Sequence, residues 1–302
     1  MSQRRSSPRL FGRALMLTII ISSGLTCGFS KPSAAAKDTD IVATLTREFG
    51  AEQPKLWAES LPGVMRYLGY PAGDRKIALT LDACGSKNDG YDRDLIDFLV
   101  AEKIHATLFI NARWADKNPQ VFKTLAADPL FDIENHGLHH LPASVNGRSV
   151  YGIKGTASVG ALVEEVEVNR RKLADLTGTA PIYFRSGTAY YDDVAVKIIH
   201  RLGQKIAGFS VLGDAGTIYT AAQIESALSL VQPNDIIIAH MNHPEHQTAE
   251  GLIPSLTKLK ALGYAFVTLR EAPTRDTPPA GYRQLKRNPA LDINRYPGGT
   301  EK

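Results

Sequence analysis

The sequence predicts an α/β fold, an irregular (β/α) barrel of about seven parallel strands. Three observations point there. From Lys76 onward, short apolar runs alternate with longer amphipathic stretches. Several of those stretches stop at a glycine, where a left-handed cap ends a helix. Nearly every apolar run closes on a polar residue: Asp82, Asn111, His136, Arg185, Ser210 and His240. Alternating buried strands and helices imply a parallel sheet with right-handed crossovers. A doubly wound open sheet is the competing architecture. The polar run ends favour the barrel, because barrels assemble their sites at the C-terminal ends of several strands.

Taken in order, residues 1–36 read as an export signal. Arg4, Arg5, Arg9 and Arg13 precede an apolar run over 14–29, and Ala34, Ala35 and Ala36 offer small residues for a peptidase. The run is short and interrupted by Ser22, Ser23 and Gly24, so stable membrane insertion is not expected once the signal is cleaved. An uncleaved anchor is the alternative. The expected location is periplasmic or extracellular. Residues 37–75 form a lead-in, helical around 41–49. Strands are predicted at 77–82, 106–111, 131–136, 182–185, 206–210, 235–240 and 266–269. Helices fall between them at 92–102, 119–127, 159–176, 192–202, 221–231 and 250–262, three of them stopping at Gly178, Gly203 and Gly263. The Gly- and Ser-rich segment 141–158 reads as a loop near the site. Residues 273–302, with Pro278, Pro279, Pro289 and Pro297, read as a loosely attached extension.

Composition narrows the partners. The 302 residues are 43% hydrophobic and carry a formal charge of +4, but the first 36 hold five basic groups and no acidic one. The remainder has 30 basic residues against 31 acidic. A near-neutral body offers no electrostatic footprint for nucleic acid. Of the two cysteines, Cys27 and Cys84, only Cys84 survives signal cleavage, so no intrachain disulfide is expected.

Four segments carry the chemistry. In Glu134-Asn135-His136-Gly137-Leu138-His139-His140, two imidazoles at short spacing after a strand can chelate one ion. A solvated histidine cluster is the plain alternative. Thr80-Leu81-Asp82-Ala83-Cys84-Gly85 puts a carboxylate at the end of the first main strand, as metal ligand or base. Phe184-Arg185-Ser186-Gly187 puts there a guanidinium that stays charged, suited to orienting a carboxylate or clamping a substrate oxygen. The apolar run ending in His240 offers a proton donor for a leaving amine. His243 and His246, just beyond, read as solvated loop residues rather than a second site.

In order and spacing these motifs resemble the polysaccharide deacetylases of the NodB-homology family (carbohydrate esterase family 4), over residues 76–272. The resemblance implies an irregular barrel, a divalent metal, often zinc, and an acetylated polysaccharide substrate. It implies Asp82 as base, His136 and His140 as metal ligands, Arg185 orienting Asp82, His240 as general acid and Asp214 tuning it. Tyr190 and Tyr191 would pack against sugar faces. Two departures stand out. Ala83 occupies the position of the family's metal-binding aspartate, and Gly137 stands where the family has Ser or Thr. The third metal ligand is thus open among Asp82, Asp89, Asp92 and His139, with Cys84 less attractive because an exported thiolate oxidises readily. A non-catalytic glycan-binding relative and a different metal amidohydrolase are the rival functions.

Overall fold

The structure is a computed structural model that describes residues 34–283 apart from residue 72. The proposed export signal, up to residue 33, and the tail beyond 283 lie outside the described residues.

Eight parallel strands form one curled sheet. Their order is Val211–Leu212, Ile236–His240, Lys76–Ala83, Ala106–Ile110, Phe131–Asn135, Tyr183–Phe184, Lys205–Ala207 and Val64–Met65. Ala265–Phe266 adds alongside the start of Lys76–Ala83. The first strand in this order and the last are not paired with each other, so the barrel is incomplete. One strand comes from the lead-in: Val64–Met65 runs parallel to Lys205–Ala207. The start of the tail is also docked. Thr274–Arg275 pairs antiparallel with Tyr67–Leu68, and the Tyr282 hydroxyl donates to Asp235 at 2.7 Å.

Period-two alternation along the strands sorts side chains between two cores. Ile77, Leu79, Leu81 and Ala83 pack outward with Leu95, Leu99, Leu252 and Leu256 of the covering helices. Ala78, Phe109, Ile236 and Ile238 pack into the barrel interior. Thr80, Asp82 and His240 share the inward parity, and the register pairs Asp82 directly with His240 on the neighbouring strand.

Helix ends follow the sequence rules. Gly178, Gly203 and Gly263 all have φ between 74° and 83°. Asp92, Ser158, Asp192 and Thr220 each cap a helix through a side-chain oxygen. A six-residue helix, Ala112–Lys117, follows Asn111; its sequence is too short to show periodicity. Within the predicted loop 141–158, Ser149–Val150 and Ile153–Lys154 pair as a small hairpin. Its turn is Tyr151-Gly152, both at positive φ, the pattern of a tight hairpin turn.

Candidate active site

The predicted strand ends do converge, with one exception. Asp82, His136, Arg185 and His240 meet at the C-terminal mouth of the barrel. Ser210 does not join them. Its Oγ donates to Asp235 Oδ1 at 2.6 Å, at the opposite end of the strand Ile236–His240. The chain turns at Ser210 and starts a new parallel strand, Val211–Leu212, which carries Asp214 up to the mouth instead.

Asp82 is buried and ion-paired. Arg185 Nη1 donates to its Oδ1 at 2.6 Å. The guanidinium is itself fully buried, donates to the carbonyls of Ala207 and Gly208 and lies 4.2 Å from the Phe109 ring centroid. Burial alone would raise the Asp82 pKa. The charges of Arg185, His136 and His240 outweigh it and hold the carboxyl below its ordinary value.

The histidine segment is fixed by backbone contacts. Asn111 Nδ2 donates to the carbonyls of His136 and Gly137 at 3.0 and 2.8 Å. Glu165, from the helix Val159–Thr177, accepts the N–H groups of His139 and Leu141. Gly137 is required where it stands. Its φ is 78°, and a Cβ there, as in Ser or Thr, would collide with the Glu165 carboxylate. Gly187 is required too, because a Cβ would strike the His140 backbone. His140 adopts φ 62°, uncommon for a residue with a side chain.

His136 Nδ1 donates to the Arg185 carbonyl at 2.9 Å. That contact fixes the neutral tautomer and leaves Nε2 with a free lone pair. Nε2 lies 3.6 Å from Asp82 Oδ2 and 3.8 Å from Cys84 Sγ. His140 Nε2 is buried without a hydrogen-bond partner. Burial lowers the pKa of both imidazoles, that of His140 well below the ordinary value, so both are neutral donors at pH 7. One ligand atom from each of Cys84, His136 and His140 lies within 4.8 Å of the others. Two ring nitrogens in a buried pocket, one of them without a hydrogen-bond partner among the described residues, fit a divalent metal.

His240 lies across from these groups. Its Nδ1 contacts Asp214 Oδ1 at 2.9 Å, its backbone N–H donates to Asp214 Oδ2 at 2.8 Å, and Thr248 Oγ1 donates to the same oxygen. Burial lowers the imidazole's pKa, but the Asp214 charge overcomes this and raises it well above the ordinary value. Burial pushes the Cys84 thiol up to about 11 against an opposing contact with His240.

Other expected participants stand elsewhere. Ala83 faces the helix layer, not the mouth. Asp89 is held by the N–H groups of Gly85 and Ser86 and by the Ser86 hydroxyl. Asp92 caps a helix. The His139 side chain is exposed. His243 contacts Asp89 and Glu245 and stacks on His246 at 5.1 Å, a group apart from the Cys84–His136–His140 cluster. Tyr191 is fully buried, its hydroxyl accepting the Ser186 N–H, so it cannot reach a sugar. Tyr190 is partly exposed. Its ring lies 5.6 Å from Trp57 and 5.7 Å from Tyr151, an aromatic group at the mouth that sequence reading did not assemble. Trp57 sits in the lead-in and Tyr151 at the hairpin tip, and nothing local links them.

The fold and the mouth define a curled (β/α) barrel with a buried cluster of carboxylates, a guanidinium and imidazoles at its C-terminal end. The family model described as polysaccharide deacetylase matches residues 69–207, a little under half of the chain. The peptidoglycan-N-acetylglucosamine deacetylase of Bacillus cereus is 26% identical over 206 residues, 67% of this chain and 89% of the relative. Another curated relative, 24% identical, is matched over only 63% of its length. The crystal structure of the Bc1960 peptidoglycan N-acetylglucosamine deacetylase superposes with a TM-score of 0.58 at 22% identity, covering 70% of this chain and 93% of that one. BA3943, a pseudoenzyme of carbohydrate esterase family 4 from Bacillus anthracis, superposes with a TM-score of 0.57 at 19% identity, covering 78% and 81%. Among the described residues, no helix is long and apolar enough to cross a membrane.

Proposed function

We propose that this protein is an exported, metal-dependent hydrolase that removes N-acetyl groups from an amino-sugar polymer of the peptidoglycan kind. One observation carries the reading. Asp82 and His240 are cross-strand partners whose environments displace their pKa values in opposite directions, Asp82 downward and His240 upward. Titratable neighbours pushed apart in this way mark a base and an acid.

A divalent metal, zinc by the chemistry of the donors, would be held by His136 and His140 and would supply polarisation of the acetyl carbonyl and a lowered pKa for bound water. Asp82, ionised at pH 7, accepts a proton from the attacking water. Arg185 keeps that carboxylate charged and fixes the oxygen it pairs with. His240 donates a proton to the departing amine, leaving a free amino sugar and acetate. Asp214 orients His240 and stabilises its protonated form. Tyr190, Trp57 and Tyr151 offer ring faces to the sugar units flanking the acetylated one. Residues 1–36 would direct export and be removed. Residues 76–272 would form the deacetylase unit, and residues 273–302 an extension.

The test is acetate release from acetylated chito-oligosaccharides and from peptidoglycan, with zinc added or chelated. Release that needs the metal and disappears in Asp82→Asn is the expected result. Polymer binding without acetate release at full metal content would overturn the hydrolase reading in favour of a non-catalytic glycan binder. Release from small amides only would identify another amidohydrolase.

A further inference from the structure

With Ala83 turned into the helix layer, His136 and His140 have no carboxylate partner at the position where the family has one. Two imidazoles alone are a thin anchor, since catalytic zinc commonly has three protein ligands. Strand parity supplies the answer. Asp82 faces inward, Ala83 outward among Leu79 and Leu81, and Cys84 inward again, directly beside the imidazoles.

We propose that Cys84 is the third protein ligand of this metal, as a thiolate, making a Cys-His-His centre in place of an all-nitrogen-and-carboxylate one; this rests on the metal-dependent reading above. Its Sγ lies 3.8 Å from His136 Nε2, and both imidazoles have a ligand atom within 4.8 Å of it. The independent observation is His140. It is 9% exposed, and its Nε2 has no partner among the described residues, a buried polar atom that a bound ion would satisfy. The position of Cys84 is also fixed. It is followed by Gly85 at φ 82°, whose N–H and that of Ser86 are both held by Asp89. The competing ligands are committed elsewhere: Asp89 to that turn, Asp92 to a helix cap and one oxygen of Asp82 to Arg185.

The chemical consequences are specific. On loading, the thiol releases its proton to solvent and the sulfur takes up the metal. A thiolate with two imidazoles selects zinc or cobalt over magnesium, calcium or manganese.

The test uses the full chain, freed of metal and titrated with cobalt(II) or zinc(II) alone. Cobalt binding in the wild type produces a near-ultraviolet sulfur-to-cobalt charge-transfer band. Cys84→Ser loses the band and retains zinc more than about a hundredfold less tightly, since changes to groups that merely support a ligand already cost 10–100-fold. Cys84→Asp regains tight binding without the band. Circular dichroism of each variant reports that it is folded. Stoichiometric cobalt without the band overturns the role of Cys84 and leaves the metal-dependent hydrolase standing. A wild-type chain that takes up no cobalt and no zinc overturns both.

Discussion

Glu165→Gln should flatten the pH dependence of this protein's stability. Glu165 is 1% exposed, and it receives the backbone N–H groups of His139 and Leu141. Burial pushes its carboxyl from 4.5 to about 7, against the pull of those N–H groups and of the Arg113 charge. Below about pH 4.5 the group is protonated in both the folded and the unfolded chain. As pH rises from there, the unfolded chain releases the proton first and the folded chain holds it. Stability therefore falls until the folded group also ionises near pH 7, and is level above that. At about 1.4 kcal/mol per pH unit, the loss amounts to about 3 kcal/mol. For a domain of this size that corresponds to a Tm lower by roughly 6–12 °C. A glutamine carbonyl at the position of Oε1 keeps both N–H bonds, each 3.1 Å long, and never ionises. The assay is thermal unfolding of wild type and variant, with a chelator present, from about pH 5 to about pH 8, the window of the shift. The wild-type Tm should drop across that window by several degrees more than the variant's. Parallel curves would refute the reasoning and show that the carboxylate is already ionised on folding.

Other expectations follow from the same geometry. Arg185→Met leaves Asp82 as an unpaired buried charge and should cost about 3–5 kcal/mol in chemical denaturation, with Asp82→Asn added in the double variant recovering much of it. Asp214→Asn removes the charge that keeps His240 protonated. It should lower kcat by about 10²–10⁴ with KM little changed in an acetate-release assay. Gly137→Ser forces a side chain against Glu165 at positive φ. It should lower Tm and release zinc on dialysis, whereas Gly137→Ser combined with Glu165→Ala should partly restore both. Trp57→Ala should raise KM for an acetylated oligosaccharide by up to about tenfold, the worth of one aromatic contact, and leave kcat unchanged.

Much of this site was legible because a strand has a period of two. Inward parity places Asp82, Arg185 and His240 at one mouth once the strands are recognised, and a parallel sheet brings their ends together. His136 follows the same rule one residue beyond the strand Phe131–Asn135. Ser210 misled because an apolar run was read as one strand. The chain instead breaks between Lys205–Ala207 and Val211–Leu212, and that break sends Ser210 down and Asp214 up. Tyr190 and Tyr191 are adjacent letters, yet one is partly exposed and the other is fully buried. Only the loop's path separates them.

The pattern of residues carried the barrel, all but one of its strands' polar ends and the kinds of chemical group gathered there, because hydrophobic periodicity and strand length are local properties of the chain. Only the packed fold shows that Asp214 rather than Ser210 reaches the mouth, that Glu165 grips the histidine loop from a distant helix, and that Trp57, Tyr151 and Tyr190 come together. Those outcomes depend on contacts between residues far apart in the chain and on backbone turns at positive φ, which no local pattern of apolar and polar residues records.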